Sequence, residues 1–241
     1  MNPLLMAPVP IVITMTSWMP DDERGRLRLD AAKQTVESWA EHLRYNGDLH
    51  LYIGDDGSHE SHKQELLDFA TLNTLNFSGL STSRQERHGV GASLNAGQKL
   101  AFEDVITPLT LYAVDDWSLT EPFDLNPWAR VLREITDIGA VRLGPPHPGI
   151  TGRVEHVGDN QWILDLCPDG GYVASQRPTL WHSRFFAEMG NWKEDCSSLE
   201  CEKDMNDRWY AANGKPRIAL ALPHPWDHIY TVDVSDVDPS R

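Results

Sequence analysis

Basic side chains are scarce in this chain: 21 Lys plus Arg stand against 36 Asp plus Glu over 241 residues, a formal charge of −15. A surface of that sign repels the phosphate backbone that supplies most nucleic-acid affinity, which excludes a general duplex DNA or RNA binder without a local basic groove. Any anionic ligand has to be held locally, for instance through a metal. Cysteine is scarce too. Cys167, Cys196 and Cys201 are odd in number and show neither zinc-site nor CxxC spacing, so they read as free thiols in a reducing compartment. Long apolar runs are missing: the start, MNPLLMAPVPIVITMTSWM, is broken by three prolines and has no basic n-region. It falls short of the about 18 uninterrupted apolar residues that mark a membrane span. A soluble, cytoplasmic protein without a membrane span is expected. No internal repeat is visible, and collagen-like, low-complexity and coiled-coil classes are excluded.

What is present is the mixture of an ordinary globular domain: 40% hydrophobic, 9% aromatic and 24% charged residues, over a length that buries a sizeable core. IVITMTSW from Ile11 is a β-branched run that reads as a buried first strand. Asp30 is expected to start a helix with Ala32, Val36, Trp39 and Leu43 on one face, closed by Gly47. DLHLYIGDDGS reads as a second strand ending in a turn, followed by a helix with a Ser61/Gln64 capping box. Gly89-Val90-Gly91 leads into a helix with Leu100 and Ala101 inward, and Leu109–Val114 reads as a strand ending at Asp115-Asp116. Pro127 opens a helix at Asn126, GAVRL is a short strand, and QWILDL and GYVASQ read as strands that pair onto the same sheet. Helices over His182–Met189 and Glu200–Asn213 and a strand over Pro216–Leu222 complete the series; the acidic tail VDVSDVDPSR is expected to fray. Strands alternating with helices predict a single α/β domain with a mostly parallel mixed sheet flanked by helices.

Two acidic pairs fall at the C-terminal ends of expected parallel strands, Asp55-Asp56 and Asp115-Asp116. Ligands bind at that edge in open α/β sheets. Each pair also has a plain reading as a turn or a helix cap. Asp115-Asp116 asks for more, because adjacent carboxylates repel unless a cation holds them, and hard divalent ions choose carboxylate oxygen while leaving positions for phosphate.

The order of motifs resembles the family 2 glycosyltransferases, inverting nucleotide-sugar enzymes of the GT-A fold. The segments that carry it are IVITMTSW, GDDGS, RHGVGASLNAG, LYAVDD, GGYVASQRPTLWHSRFFAEMGNWKED and ECEKDMNDR, which together run from about residue 10 to 230. The resemblance implies a GT-A-like domain with a nucleotide-sugar and metal-binding half over 10–143, an acceptor-binding half over 150–230 and a tail over 231–241. It implies a UDP-sugar donor, Mn or Mg as cofactor, and transfer with inversion to a glycan, protein or other acceptor hydroxyl.

Carried over by position, Thr14 and Thr16 flank the base pocket and Asp55 or Asp56 accepts a hydrogen bond from the base or ribose. Arg84 or Arg87 lies near the nucleotide, Asn95 braces its helix, Asp115 contacts ribose or sugar, and Asp116 ligates the metal. His224 or His228 in HPWDHIY is a candidate further ligand. The family usually shows a third acidic position after LYAVDD, where this chain has Trp117. Glu202 is the expected general base, with Asp204 and Asp195 as competitors, because Asp204 is spaced to pair with Arg208 and Lys203 stands where the family often has Asp. One of Trp181, Trp192 and Trp209 is a candidate floor for the acceptor, core packing being the plainer role. The other readings left open are a nucleotidyltransferase acting on a sugar phosphate, which the acidic Asp21-Asp22-Glu23 after the first strand disfavours, and a carbohydrate-binding protein without turnover.

Overall fold

The computed structural model describes residues 7–74, 76–84, 88–145, 152–158, 161–166, 174–222 and 226–229. The elements run β1 (Ile11–Ser17), α1 (Glu23–His42), β2 (Leu43–Arg44), β3 (Leu49–Asp55), α2 (Glu60–Asn73), β4 (Gly79–Arg84), α3 (Val90–Lys99), β5 (Leu109–Val114), β6 (Trp117–Leu119) and β7 (Phe123–Asp124). The second half adds α4 (Asn126–Glu134), β8 (Ile138–Arg142), β9 (Gly152–Gly158), β10 (Gln161–Leu166), β11 (Thr179–His182), α5 (Ser183–Met189), α6 (Ser198–Ala211), β12 (Arg217–Leu222) and β13 (Trp226–His228).

Nine of these strands form one sheet in the order β4-β3-β1-β5-β11-β8-β12-β10-β9. The pairings β4·β3·β1·β5 and β8·β12 are parallel, while β11 is antiparallel to both its neighbours and β10 to both of its own. Only β11 and β10 therefore run against the other strands of the sheet. The fold is a single α/β domain with a large, mostly parallel mixed sheet flanked by helices, as the alternation of elements requires.

The period of two along β1 sorts its side chains between the faces. Ile11, Ile13 and Met15 enter the larger core with Val36 and Trp39 of α1, whereas Val12 faces the side covered by α3. Thr14 shares that second side, and α3 lies so close there that a Cβ on Gly97 would stand 2.2 Å from Thr14 Oγ1. A glycine is what lets the helix approach the strand. The second core joins Tyr112, Trp181, Phe185, Trp192 and Trp209 under α5 and α6.

Several local expectations change. The first helix begins at Glu23, capped by Asp22 Oδ1 accepting from Gly25 N–H at 2.8 Å, so Asp30 is interior; it ends at His42, well before Gly47. Helix α2 has His59 at its N-cap with no side-chain cap bond, and Gln64 donates instead to Asp68 Oδ1 at 2.8 Å. The Ser61/Gln64 box is thus absent, because the chain turns helical two residues too early for Ser61 to cap. The box in this fold belongs to Ser197 and Glu200 on α6. Ala174 to Gln176 are not in a strand; the preceding part of GYVASQ, Cys167 and the tail from 230 lie outside the described residues. Trp181 and Trp209 are 0% exposed and Trp192 is 2% exposed. All three are core, so none floors an acceptor site; truncating one to Ala would cost about 3–5 kcal/mol. Cys196 and Cys201 are free thiols. Among the described residues no helix is long and apolar enough to cross a membrane.

Candidate functional site

A cavity of about 1080 Å³ opens where β1 and β5 end, lined from the first strand's exit by Thr16, Ser17 and Trp18 and from the fifth by Val114, Asp116 and Trp117. Helix α1 adds Arg24 and Arg28, the entry to α3 adds His88, Gly89 and Val90, and the second half adds Gln176, Arg177, Asp195, Glu202 and His228. The acidic chain thus turns three guanidinium groups toward one recess that also carries the carboxylates of Asp56, Asp116, Asp195, Glu200, Glu202 and Asp227.

The two acidic pairs differ in what they touch. Asp55 is 0% exposed and does not line the cavity; its Oδ1 accepts the Ser58 N–H at 3.1 Å, closing the GDDGS turn. Asp56 reaches the cavity, but its Oδ1 accepts the His88 and Gly89 N–H groups, each at 2.9 Å. Gly89 has φ +84, the left-handed region, which lets the entry to α3 present both N–H groups to one carboxylate. Asp115 is 1% exposed, paired with Arg28 Nη2 at 2.6 Å, and stands behind the cavity wall. Burial raises its pKa above the usual carboxylate range; Arg28 opposes the rise and the neighbouring Asp116 adds to it. Asp116 Oδ2 lies 3.1 Å from His228 Nε2. Asp115 Oδ2 and Asp116 Oδ1 are buried with no hydrogen-bond partner among the described residues.

Those two bare oxygens and the imidazole test whether a divalent ion suits the site. Among the described residues no group of three or more His, Cys, Asp or Glu side chains could hold a metal. One carboxylate and one imidazole can still do so if water and a ligand's phosphate oxygens complete the shell, and a mixed oxygen and nitrogen donor set suits Mn²⁺ better than Mg²⁺. The residues therefore fit a metal held jointly with its ligand.

Glu202 is half-buried on the cavity wall and accepts the Gln176 N–H at 2.7 Å. Burial raises its pKa, opposed by that bond and by the Arg142 and Arg177 charges. It therefore does have cations near it, contributed by β8 and by the segment before β11, which helical spacing cannot reveal. Asn206, one turn further along α6, grips the same segment through Ala174: Nδ2 donates to its carbonyl at 2.6 Å and Oδ1 accepts its N–H at 3.0 Å. Asp204 pairs with Arg208 at 2.5 Å, as spaced, and does not line the cavity. Asp195 lines it, with φ +53 and a 2.6 Å contact between its Oδ1 and His88 Nδ1.

Thr16 reaches the cavity and Thr14, 0% exposed, does not. Asn95 braces α3 against the second half, its Oδ1 accepting Trp192 N–H at 2.9 Å and its Nδ2 donating to Trp192 O at 2.9 Å. Arg84 contributes backbone to β4, its side chain lying outside the described residues with Arg87 and His224. Trp18, Arg24, Arg28 and Arg177 were not anticipated. The Arg24/Arg28 spacing of four, on a helix starting just after the first strand, was the available signal.

No family model matches the chain, and no curated protein does. Solved structures do, at the level of the fold. S. aureus TarS 1-349 in complex with UDP-GlcNAc shares 12% identity at a TM-score of 0.59, covering 94% of this chain and 62% of that one. GalNAc-T7 with UDP, GalNAc and Mn²⁺ shares 14% at 0.55, covering 92% and 44%. The nucleoside-diphosphate-sugar pyrophosphorylase of Vibrio cholerae RC9 shares 13% at 0.50, covering 91% and 95%. The chain thus spans less than two thirds of the first two, and what it shares with them is the GT-A-like architecture.

Proposed function

We propose that the protein is a metal-dependent glycosyltransferase that moves a sugar from a nucleotide donor, a UDP-sugar, to an acceptor hydroxyl with inversion. The observation that carries this is the pairing of Asp116 with His228 in a cavity walled by Arg24, Arg28 and Arg177. Two of the solved structures that share the fold hold UDP-GlcNAc or UDP with Mn²⁺, which favours the same ligand class here. In this reading residues 10–143 bind most of the donor and 150–230 the acceptor, with Arg177 and His228 of the second half reaching the diphosphate end, and Thr16 and Asp56 are donor-side residues at the cavity edge.

Asp116 and His228 would hold the divalent ion, which when bound supplies positive charge to the departing diphosphate. Glu202 takes the proton of the acceptor hydroxyl while that oxygen bonds to the anomeric carbon and the bond from that carbon to the diphosphate oxygen breaks. A raised pKa makes Glu202 a stronger base than an exposed carboxylate, so it suits this step. Asp195 orients His88 and Asp204 holds Arg208; neither competes for the role in this reading. The buried Asp115 keeps Arg28 at the wall.

The test is a panel of nucleotide sugars incubated with the protein and Mn²⁺ or Mg²⁺, assayed for nucleotide release. Free UDP from one donor is expected. Pyrophosphate formed from a nucleotide sugar's precursors would instead favour nucleotidyl transfer, the reading that the likeness to the pyrophosphorylase supports. Sugar binding with no release of either would leave a binding protein on this fold.

A further inference from the structure

Trp117 stands where the resembled motif usually has a third acidic residue, and it is 6% exposed on the cavity wall. Its backbone is fixed from two sides. Its carbonyl accepts the Trp39 Nε1–H at 2.9 Å, and in the β6·β13 ladder it lies opposite His228. The Ile229 N–H donates to Asp116 O at 2.8 Å, which sets the register of the two strands beside the acidic pair. The Trp117 ring centroid lies 5.0 Å from the His228 ring, tilted by 59°, and 5.7 Å from Arg177 Cζ. Arg177 in turn donates from Nη1 to Pro145 O at 2.8 Å.

We infer that Trp117 is a positioning residue that seats the His228 imidazole against Asp116 and the Arg177 guanidinium beside them. The diphosphate end of the cavity is thereby built from one carboxylate, one imidazole and one guanidinium, with an aromatic ring in place of a further carboxylate. This rests on the donor reading of the cavity. The reason lies in charge. A carboxylate at 117 would pair with Arg177 or His228 and add negative charge where a nucleoside diphosphate has to enter a chain of net charge −15. An indole face attracts a guanidinium through its quadrupole and restricts its rotamers without neutralising it. It also limits imidazole rotation, as supports around metal-binding histidines do.

The test measures binding. Mn²⁺ alone is titrated by electron paramagnetic resonance of the free ion, and UDP with Mn²⁺ by calorimetry, with thermal melts to establish folding. Trp117→Leu is expected to weaken UDP binding in Mn²⁺ by about tenfold, the loss typical of removing a support around a metal ligand. Trp117→Phe, which keeps a ring, is expected to recover most of that loss. His228→Ala combined with Trp117→Leu should lose less than the product of the two single losses, because part of the ring's effect runs through the imidazole. A folded Trp117→Leu chain with wild-type affinity, or losses that multiply fully in the double variant, would overturn the inference. Should Trp117→Leu not fold, the same cycle is run with Arg177→Met and His228→Ala on the native ring: coupling between the two supports a shared seat, and independent losses overturn it. Failure of the donor reading is seen separately, as a wild-type chain that binds Mn²⁺ but not UDP; the Mn²⁺ titration of the variants then still decides the role of Trp117. A wild-type chain that binds neither overturns both.

Discussion

The chain carries the dipeptide Asp-Asp at the ends of two neighbouring parallel arrangements, β1·β3 and β1·β5, and the two copies have different fates. At β3 the carboxylates meet main chain: Asp55 Oδ1 closes its own turn, its buried Oδ2 has no hydrogen-bond partner among the described residues, and Asp56 Oδ1 binds the two N–H groups that open α3. At β5 they meet side chains from far along the sequence, Arg28 on one and His228 on the other, and each keeps a buried oxygen without a hydrogen-bond partner among the described residues. A carboxylate that accepts backbone N–H groups is first a piece of architecture, even where, as at Asp56, it also borders the cavity. One that faces an imidazole and leaves an oxygen bare is equipped to share a cation with a ligand. The difference is invisible in the dipeptides themselves.

The largest effect is expected at Glu202, a carboxylate outside both pairs, because it separates proton transfer from donor binding. Glu202→Gln should lower kcat by about two to four orders of magnitude with little change in UDP affinity. Single-turnover rates beside calorimetric affinities check this, and a folded variant with near wild-type kcat would move the role to Asp195.

Next comes the contrast between the pairs. Asp116→Asn is expected to weaken Mn²⁺-supported UDP binding by at least about 100-fold, more than loss of a supporting residue would, whereas Asp55→Asn should leave it nearly unchanged. Equal UDP affinity of the wild type in excess EDTA would break the comparison from the metal side.

Asp56→Ala sharpens it from the other side. Two N–H groups lose a charged acceptor, so the melt should report a loss of about 1.5–3 kcal/mol, with donor KM affected mainly through disorder at the entry to α3. A variant as stable as the wild type would show that those bonds are replaceable.

The smallest effect concerns pH. Burial raises the Glu202 pKa in the folded state, so this group favours folding below its unfolded pKa and that contribution is lost as pH rises through the folded value. Stability of the wild type should therefore fall across that interval, and Glu202→Gln should flatten the dependence. The acidic limb of kcat should lie above the ordinary carboxylate range for the same reason. A limb at the ordinary range would mean that Glu202 is more hydrated than its surroundings imply.

Much of this molecule is written locally. The β-branched run at Ile11–Ser17, the alternation of Leu49, Leu51 and Ile53, and the strand before Asp115 needed only their own side chains to declare themselves, because a strand buried on both faces tolerates little else. Their order with the helices between them fixed the α/β class. Helix starts were read less well: Asp22 caps the helix that Asp30 was expected to start, and α2 begins behind His59 with no side-chain cap where Ser61 was expected to supply one, since a capping side chain is chosen by where the chain first turns helical and several candidates compete along the sequence.

The site divides along the same line. In the sequence, Asp116 stood out by its place at the end of a strand, while Glu202, Asp195 and His228 entered as candidates through the resemblance to the family 2 glycosyltransferases. Only the tertiary structure decided that Asp55 and Thr14 turn away from the cavity, that three tryptophans are core, and that Arg24, Arg28, Trp18 and Arg177 wall the recess. The physical reason is distance along the chain: Arg28 and Asp115 lie 87 residues apart and Asp116 and His228 lie 112 apart. Their meeting depends on how the nine-stranded sheet is ordered and how α1 crosses it. Side-chain type is local information, whereas the partner of a charge is a property of packing.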